Sequence, residues 1–274
     1  MPPRLAVFAI ALLLPLSASP ALAQIKTEVV DVKVRPGVTM RYLAVSAGVQ
    51  PKAAVILLAG GDNVLRLSRS GSIGTNLNLN FLIRSRELFA REGFHAVALD
   101  AASDRQKGMD GSIRLAPQYA QDVGKVIADV KQRTGAPVWL ISNSSSTLSA
   151  VGAGAHLSSA DEAMRPRGIV LTSVQTTLSP GLCGKTVYDG ALGSIRMPVL
   201  VVSHRDDGCK CSPGSAAVGA RLLTALKQAT AKEHRIFTGG SQPLSGPCDA
   251  RAPHGFFGIE GSVVKAIADW IKGH

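Results

Sequence analysis

Apolar runs recur along the chain with helical patterns between them. Ala53–Ala59 (Ala-Ala-Val-Ile-Leu-Leu-Ala), Phe94–Leu99, Val138–Ser142, Gly168–Val174 and Pro198–Ser203 are nearly continuous in apolar residues. A strand wet on one face alternates apolar with polar residues. A run without alternation suits a strand covered on both faces, as in a parallel sheet. Phe81–Glu92, Pro117–Arg133, Ser146–Leu157, Pro213–Ala229 and Gly261–Lys272 read as helices, several with apolar positions at helical spacing. Ahead of them, Thr27–Val34 alternates valine with polar residues, Pro36-Gly37 marks a turn, and Val38–Ala47 is again extended. That pattern predicts a hairpin. Glu233–Phe237 is a last strand, followed by a Gly/Pro-rich loop over 238–254. Strands alternating with helices predict an α/β fold. Its mostly parallel central sheet carries helices on both faces and an N-terminal antiparallel hairpin. Residues 24–274 show no internal repeat and no linker, and read as one domain.

The first residues break this pattern. Met1-Pro2-Pro3-Arg4 precedes an apolar run from Leu5 to Leu16, and Ala21-Leu22-Ala23 follows. A charged start, a short apolar core and an Ala-x-Ala exit describe a secretory signal peptide over 1–23, cleaved before Gln24. The predicted location is therefore secreted, in the periplasm. The run is short for a membrane span and no later segment is long and apolar enough, so stable membrane insertion after cleavage is not expected. The chain is 46% hydrophobic and 18% charged, which suits a compact globule. The formal net charge is +11, yet aromatics make up only 4% and no dense Lys/Arg block occurs. A nucleic-acid partner is not expected.

Candidate chemistry starts at Val138–Ala150. An apolar strand runs into Ser142-Asn143-Ser144-Ser145-Ser146 and a small-residue helix follows. A strand, a sharp turn with serine at its apex, and a helix are the layout of a nucleophile elbow. In the pattern G-x-S-x-G, serines stand here where both glycines belong. The same stretch also reads as a serine-rich loop that caps a helix.

In open parallel sheets, functional groups collect in loops at the carboxyl ends of strands. Gly60-Gly61 follows the strand 53–59, and His204-Arg205-Asp206-Asp207 follows 198–203. Pro253-His254-Gly255-Phe256-Phe257-Gly258 lies in the loop before the final helix. Serine, acid and histidine thus occur in the chain order of an α/β-hydrolase triad. On these pieces, Pro198–Asp207 and His254–Gly258 above all, the chain resembles the α/β-hydrolase fold superfamily, in particular small secreted serine hydrolases without a large cap domain.

The resemblance implies an esterase-like serine hydrolase that passes through an acyl-Ser144 intermediate. His254 would be its base and Asp207 the acid that orients the imidazole, with Asp206 the alternative. The backbone N–H groups of Gly61 and Ser145 would form the oxyanion hole. The substrate would be a small-molecule ester or amide. No metal or organic cofactor is implied. A peptidase or amidase of the same fold is an alternative, and so is a binding protein with a disabled elbow. The departures bear on the last of these. Side chains at Ser142 and Ser146 would crowd the turn, and Ala59 stands where a loop-bracing histidine is frequent.

Cysteines 183, 209, 211 and 248 are even in number, and in a secreted chain predict two disulfides. Cys209 and Cys211 are too close in sequence to pair easily with each other, which leaves two pairings open. A Cys-x-Cys metal site is the alternative, though no histidine stands at zinc-ligand spacing. A bridge to Cys248 would tie the acid loop to the histidine loop. Leu65, Leu67, Leu77 and Leu79 are candidates for an acyl pocket, and Arg66, Arg69 and Arg105 for contact with an anionic substrate group. Of the other histidines, His95 falls in a strand, His156 near a helix end and His204 beside the acid loop, while His234 and His274 read as solvated.

Overall fold

The structure, a computed structural model, describes residues 24–48 and 50–274. The expected signal peptide, residues 1–23, lies outside the described residues. Eight strands form one sheet: β1 (Lys26–Arg35), β2 (Val38–Ser46), β3 (Ala53–Leu58), β4 (Phe94–Leu99), β5 (Val138–Asn143), β6 (Gly168–Thr172), β7 (Val199–His204) and β8 (Lys232–Phe237). Their spatial order is β1-β2-β4-β3-β5-β6-β7-β8. β1 and β2 form the antiparallel hairpin, and β2 is also antiparallel to β4. Every later pairing is parallel. The chain thus has the predicted α/β architecture.

Burial explains the apolar runs. Every residue of β3, β5, β6 and β7 is buried. β8 closes one edge, and its Lys-Glu-His-Arg sequence leaves no residue fully buried. Charge on an edge strand discourages pairing with another chain.

Seven helices cover the described sheet: α1 (Phe81–Arg84), α2 (Arg86–Arg91), α3 (Gly111–Leu115), α4 (Pro117–Thr134), α5 (Ser146–Leu157), α6 (Ala216–Ala225) and α7 (Glu260–Lys272). α4, α5 and α6 pack on one face, where Tyr119, Val123, Ile127 and Val130 of α4 meet Val30, Tyr42 and Ile56. α1, α2 and α7 pack on the other, where Phe81, Phe89, Val263 and Ile267 meet Val55, Leu57 and Ile141. On this second face Trp139 of β5 meets Trp270 of α7 edge-to-face, with ring centroids 5.4 Å apart. A Cβ on Gly168 would lie 2.1 Å from the Trp139 ring, so the indole fills the space a side chain there would need.

Three elements differ from expectation. The helix predicted over 81–92 is two short helices, α1 and α2, broken at Ser85. The break keeps Phe81, Leu82 and Ile83 buried as well as Phe89 and Ala90, while Asn80 caps α1 through its side chain. α6 is shorter than the predicted 213–229. α3 lies between the run Phe94–Leu99 and the helix from Pro117, where the sequence pattern predicts no helix, and Asp110 is its side-chain N-cap. It docks closely on α5, since a Cβ on Gly152 would lie 2.7 Å from the Arg114 carbonyl oxygen.

Candidate active site

β5 ends at Asn143 and α5 begins at Ser146, with Ser144 between them at φ +59°. That left-handed conformation costs a non-glycine residue about 1–3 kcal/mol, and it persists only where its surroundings enforce it. Here the Ser144 N–H donates to the Thr172 carbonyl at 3.0 Å. The Ser144 carbonyl accepts from the Thr147 N–H at 2.9 Å and from Thr147 Oγ1 at 2.6 Å. The tip of the turn is thereby tied to β6 on one side and to α5 on the other.

The crowding expected from Ser142 and Ser146 does not occur. Both are fully buried and directed into the body of the protein. Ser142 Oγ donates to the Val170 carbonyl at 3.1 Å. Ser146 Oγ lies 2.5 Å from the Leu58 carbonyl and 2.9 Å from that of Asn143, and accepts from the Asn143 N–H at 3.0 Å. The hydroxyls thus stitch β5 to its neighbours β6 and β3. A glycine is demanded instead at Gly60, where a Cβ would approach the Asn143 carbonyl oxygen to 2.8 Å and the Ser144 Cβ to 2.9 Å.

A buried polar chain backs the turn. Asn80 Nδ2 donates to Asn143 Oδ1 at 3.0 Å, and Asn143 Nδ2 to Thr172 Oγ1 at 3.1 Å. Thr172 Oγ1 in turn donates to the Ser142 carbonyl at 2.9 Å. Each member of the chain is satisfied, the condition under which a buried network rigidifies its surroundings.

The acid and the histidine meet across two loops. Asp207, three residues beyond the carboxyl end of β7, is buried. One carboxylate oxygen accepts from the Cys209 N–H at 2.9 Å, and the other lies 2.9 Å from His254 Nδ1. With the carboxylate as acceptor, Nδ1 carries the proton and the lone pair falls on Nε2. His254 is also buried, and among the described residues its Nε2 has no hydrogen-bond partner. The histidine backbone is fixed by Ser173 Oγ, which donates to the His254 carbonyl at 2.7 Å. The neighbouring acid, Asp206, is exposed and lies 3.7 Å from Arg205. The acid facing His254 is therefore Asp207.

Ser144 and His254 line the same cavity of about 440 Å³, together with Gly60, Gly61, Leu77 and Leu79. No hydrogen bond joins the Ser144 hydroxyl to His254 Nε2 in this structure. The two residues expected to supply backbone donors lie against each other, with Ser145 Oγ donating to the Gly61 carbonyl at 3.0 Å.

Both disulfides form, Cys183–Cys211 and Cys209–Cys248, with Cα separations of 6.3 and 4.6 Å. The Cys-x-Cys thiols are thus taken up in bridges. Cys209–Cys248 joins the acid loop to the histidine loop. His204 adds a second tie, with Nε2 2.8 Å from the Gly239 carbonyl and Nδ1 3.1 Å from the Asp206 N–H.

Other candidates are placed differently. Leu65 and Leu67 are core residues, while Leu77 and Leu79 reach the cavity. Arg66, Arg69 and Arg105 are not on its wall, and the arginine there is Arg251. His234 is half-buried, 3.1 Å from Ser203 Oγ, and burial lowers its pKa. Burial also lowers the pKa of His95 on β4. Sequence reasoning missed Asn80, Asn143 and Thr172 as supports of the turn. The signals available were an asparagine preceding the serine and an Asn ahead of Phe81 in a helix-capping position.

No protein-family model matches the chain, and no curated protein matches it by sequence. Solved structures do match. The esterase Pf2001 of Pyrococcus furiosus superposes with a TM-score of 0.60 at 14% identity, over 93% of this chain and 94% of that one. Est1E of Butyrivibrio proteoclasticus gives 0.58 at 12% identity, over 89% and 97%. A thermophilic esterase of Thermogutta terrifontis, Est2, gives 0.55 at 16% identity, over 89% and 91%. Similarity at such identities is similarity of fold. Strand order, the elbow between β5 and α5 and these neighbours agree on it: the chain has the α/β-hydrolase fold.

Proposed function

We propose that this protein is a serine hydrolase that cleaves carboxylic esters through an acyl-Ser144 intermediate. One observation carries the reading: a serine held at φ +59° at the tip of a strand–turn–helix shares a cavity with a histidine whose Nδ1 is bonded to a buried aspartate. A serine hydroxyl is barely ionised near neutral pH and needs a base. His254 Nε2 takes the proton as Ser144 Oγ attacks the ester carbonyl, then returns it to the departing alcohol. Asp207 keeps Nδ1 protonated and stabilises the imidazolium. The Gly61 and Ser145 N–H groups receive the oxyanion, and loss of one such donor typically costs about 3 kcal/mol of transition-state stabilisation. The esterases among the structural neighbours support an ester over an amide as substrate.

Export is part of the same proposal. The signal-like segment 1–23 would be removed before Gln24, leaving one domain in the periplasm. The two disulfides support an oxidising compartment. Among the described residues no helix is long and apolar enough to cross a membrane.

The test is labelling with a fluorophosphonate, which needs an activated serine but no knowledge of the substrate. A single adduct on Ser144, absent from Ser144→Ala and His254→Ala, is the expected result. Absence of an adduct on the folded, oxidised protein would replace the hydrolase with a binding protein built on the same fold.

A further inference from the structure

α3 delivers an unusual side chain to the site. Arg114 is buried, with 1% of its surface exposed. Its hydrogen bonds go to neutral groups: Nη1 to Ser149 Oγ at 3.2 Å and Nη2 to the Gly61 carbonyl at 2.6 Å. Among the described residues no carboxylate lies within ion-pair distance of it. Burial of an uncompensated guanidinium is costly, and an apolar side chain of similar size would fill the space without that cost. Burial accordingly pushes its pKa down, with Tyr119, Asp62 and Asp110 acting against the shift. The fold nevertheless makes room for it. Gly111 and Gly152 allow α3 its close approach, since a Cβ on either would lie 2.7 Å from a neighbouring atom.

The Gly61 carbonyl that Arg114 holds belongs to the turn Gly60–Asn63. In that turn Gly61 has φ +66°, and the Asn63 N–H donates to the Gly60 carbonyl at 3.3 Å. The Gly60 carbonyl and the Gly61 N–H share one planar peptide, so this bond orients the N–H. The next peptide is gripped from two sides, by Arg114 Nη2 and by Ser145 Oγ. Ser145 is itself the other proposed oxyanion donor. The two grips therefore fix the turn against the elbow and set the spacing of the two N–H groups.

We infer that Arg114 is a positioning residue of the oxyanion site, acting through the Gly61 carbonyl to hold the Gly61 N–H where negative charge develops in the transition state. The inference rests on the hydrolase reading above. It assigns Arg114 a role in the chemical step and none in ground-state binding. The full positive charge beside the turn also favours an oxyanion there.

The experiment compares Arg114→Lys, Arg114→Met and Ser145→Ala with the unaltered protein. The readouts are fluorophosphonate labelling rate and p-nitrophenyl butyrate hydrolysis, with folding checked by circular dichroism. Arg114→Met is expected to lower kcat by about 100-fold and Arg114→Lys, which keeps the charge and one donor, by about tenfold, both with KM nearly unchanged. Ser145→Ala keeps its backbone N–H but loses one grip, and is expected to lower kcat by roughly three- to tenfold. A folded Arg114→Lys with unaltered kcat, or a loss carried by KM, overturns the inference. Should both Arg114 variants fail to fold, Ser145→Ala decides, and an unchanged kcat there is equally fatal. An unaltered protein with no label on Ser144 would defeat the hydrolase reading itself. Normal labelling that is indifferent to these substitutions defeats only the role of Arg114.

Discussion

Ser144 and the Asp207–His254 pair lie at the same end of the sheet, beyond the carboxyl ends of its strands, and are held by different means. Ser144 stands between two regular elements. Its turn is fixed by bonds from Thr147, by the Ser144 N–H donating to the Thr172 carbonyl, and by the buried hydroxyls of Ser142 and Ser146. Asp207 and His254 stand in irregular loops 47 residues apart in sequence. They are brought together by a disulfide, by the His204–Gly239 contact and by the bond from Ser173 to the His254 carbonyl. Where a strand and a helix set the direction of a side chain, hydrogen bonds to the neighbouring strands and to the helix suffice. Where loops must be matched to each other, a covalent tie is added to the hydrogen bonds.

The comparison can be broken most severely at the acid. Asp207→Asn is expected to lower turnover by about 10⁴-fold, because the imidazole loses its orienting charge and its tautomer. Asp206→Asn is expected to leave turnover unchanged, since that side chain is exposed and turned to Arg205. Steady-state ester hydrolysis by the two variants measures the difference.

Removal of the bridge is the next largest effect. Cys209→Ser/Cys248→Ser should cost about 2–4 kcal/mol in urea unfolding and slow Ser144 labelling as well. Cys183→Ser/Cys211→Ser should cost a similar stability and slow labelling less, because that bridge does not tie the acid loop to the histidine loop. Equal slowing by both pairs would remove the distinction between a catalytic staple and a general one.

The elbow half is tested by restoring the residue that its motif usually carries. Ser146→Gly is expected to destabilise by about 1–3 kcal/mol, because the Asn143 N–H loses its buried acceptor. A stability gain in urea would mean that the serine is merely tolerated there.

The smallest effect is a pH dependence away from the site. Burial lowers the pKa of His95 and of His234 below the ordinary value of 6.5. As pH falls through that value the unfolded chain binds protons that the folded chain refuses, so stability declines until the lowered folded-state values are reached. Well above pH 6.5, where both states bind no proton, these groups contribute no pH dependence. His234→Gln should flatten part of this slope in urea midpoints measured between pH 7 and pH 5.

Much of this was legible in the chain. β3, β5 and β7 are buried on both faces, so their apolar runs have no alternation to misread. The elbow was legible because strand, serine and helix are contiguous. The Asn80–Asn143 contact was not, since partners 63 residues apart leave no local pattern. α3 is only five residues long, too short to show a helical period, and α1 and α2 are interrupted inside what scans as one period. The cysteine pairing depends on which loops meet, and that is set by strand order. The candidate arginines Arg66, Arg69 and Arg105 are not on the cavity wall, while Arg251 reaches it from the loop before the final helix.

The contact between Trp139 and Trp270 has a practical consequence. They are the only 2 tryptophans in the chain, and they form one edge-to-face cluster between the start of β5 and α7. Ser144 lies five residues further along, roughly 16 Å away at the rise of a strand. Intrinsic fluorescence is therefore a reporter on the body of the molecule, blind to the loops that carry Asp207 and His254. A reductant that opens Cys209–Cys248 could silence the probe reaction while the emission spectrum stays that of the native fold, so one cuvette would separate a slackened rim from a melted core.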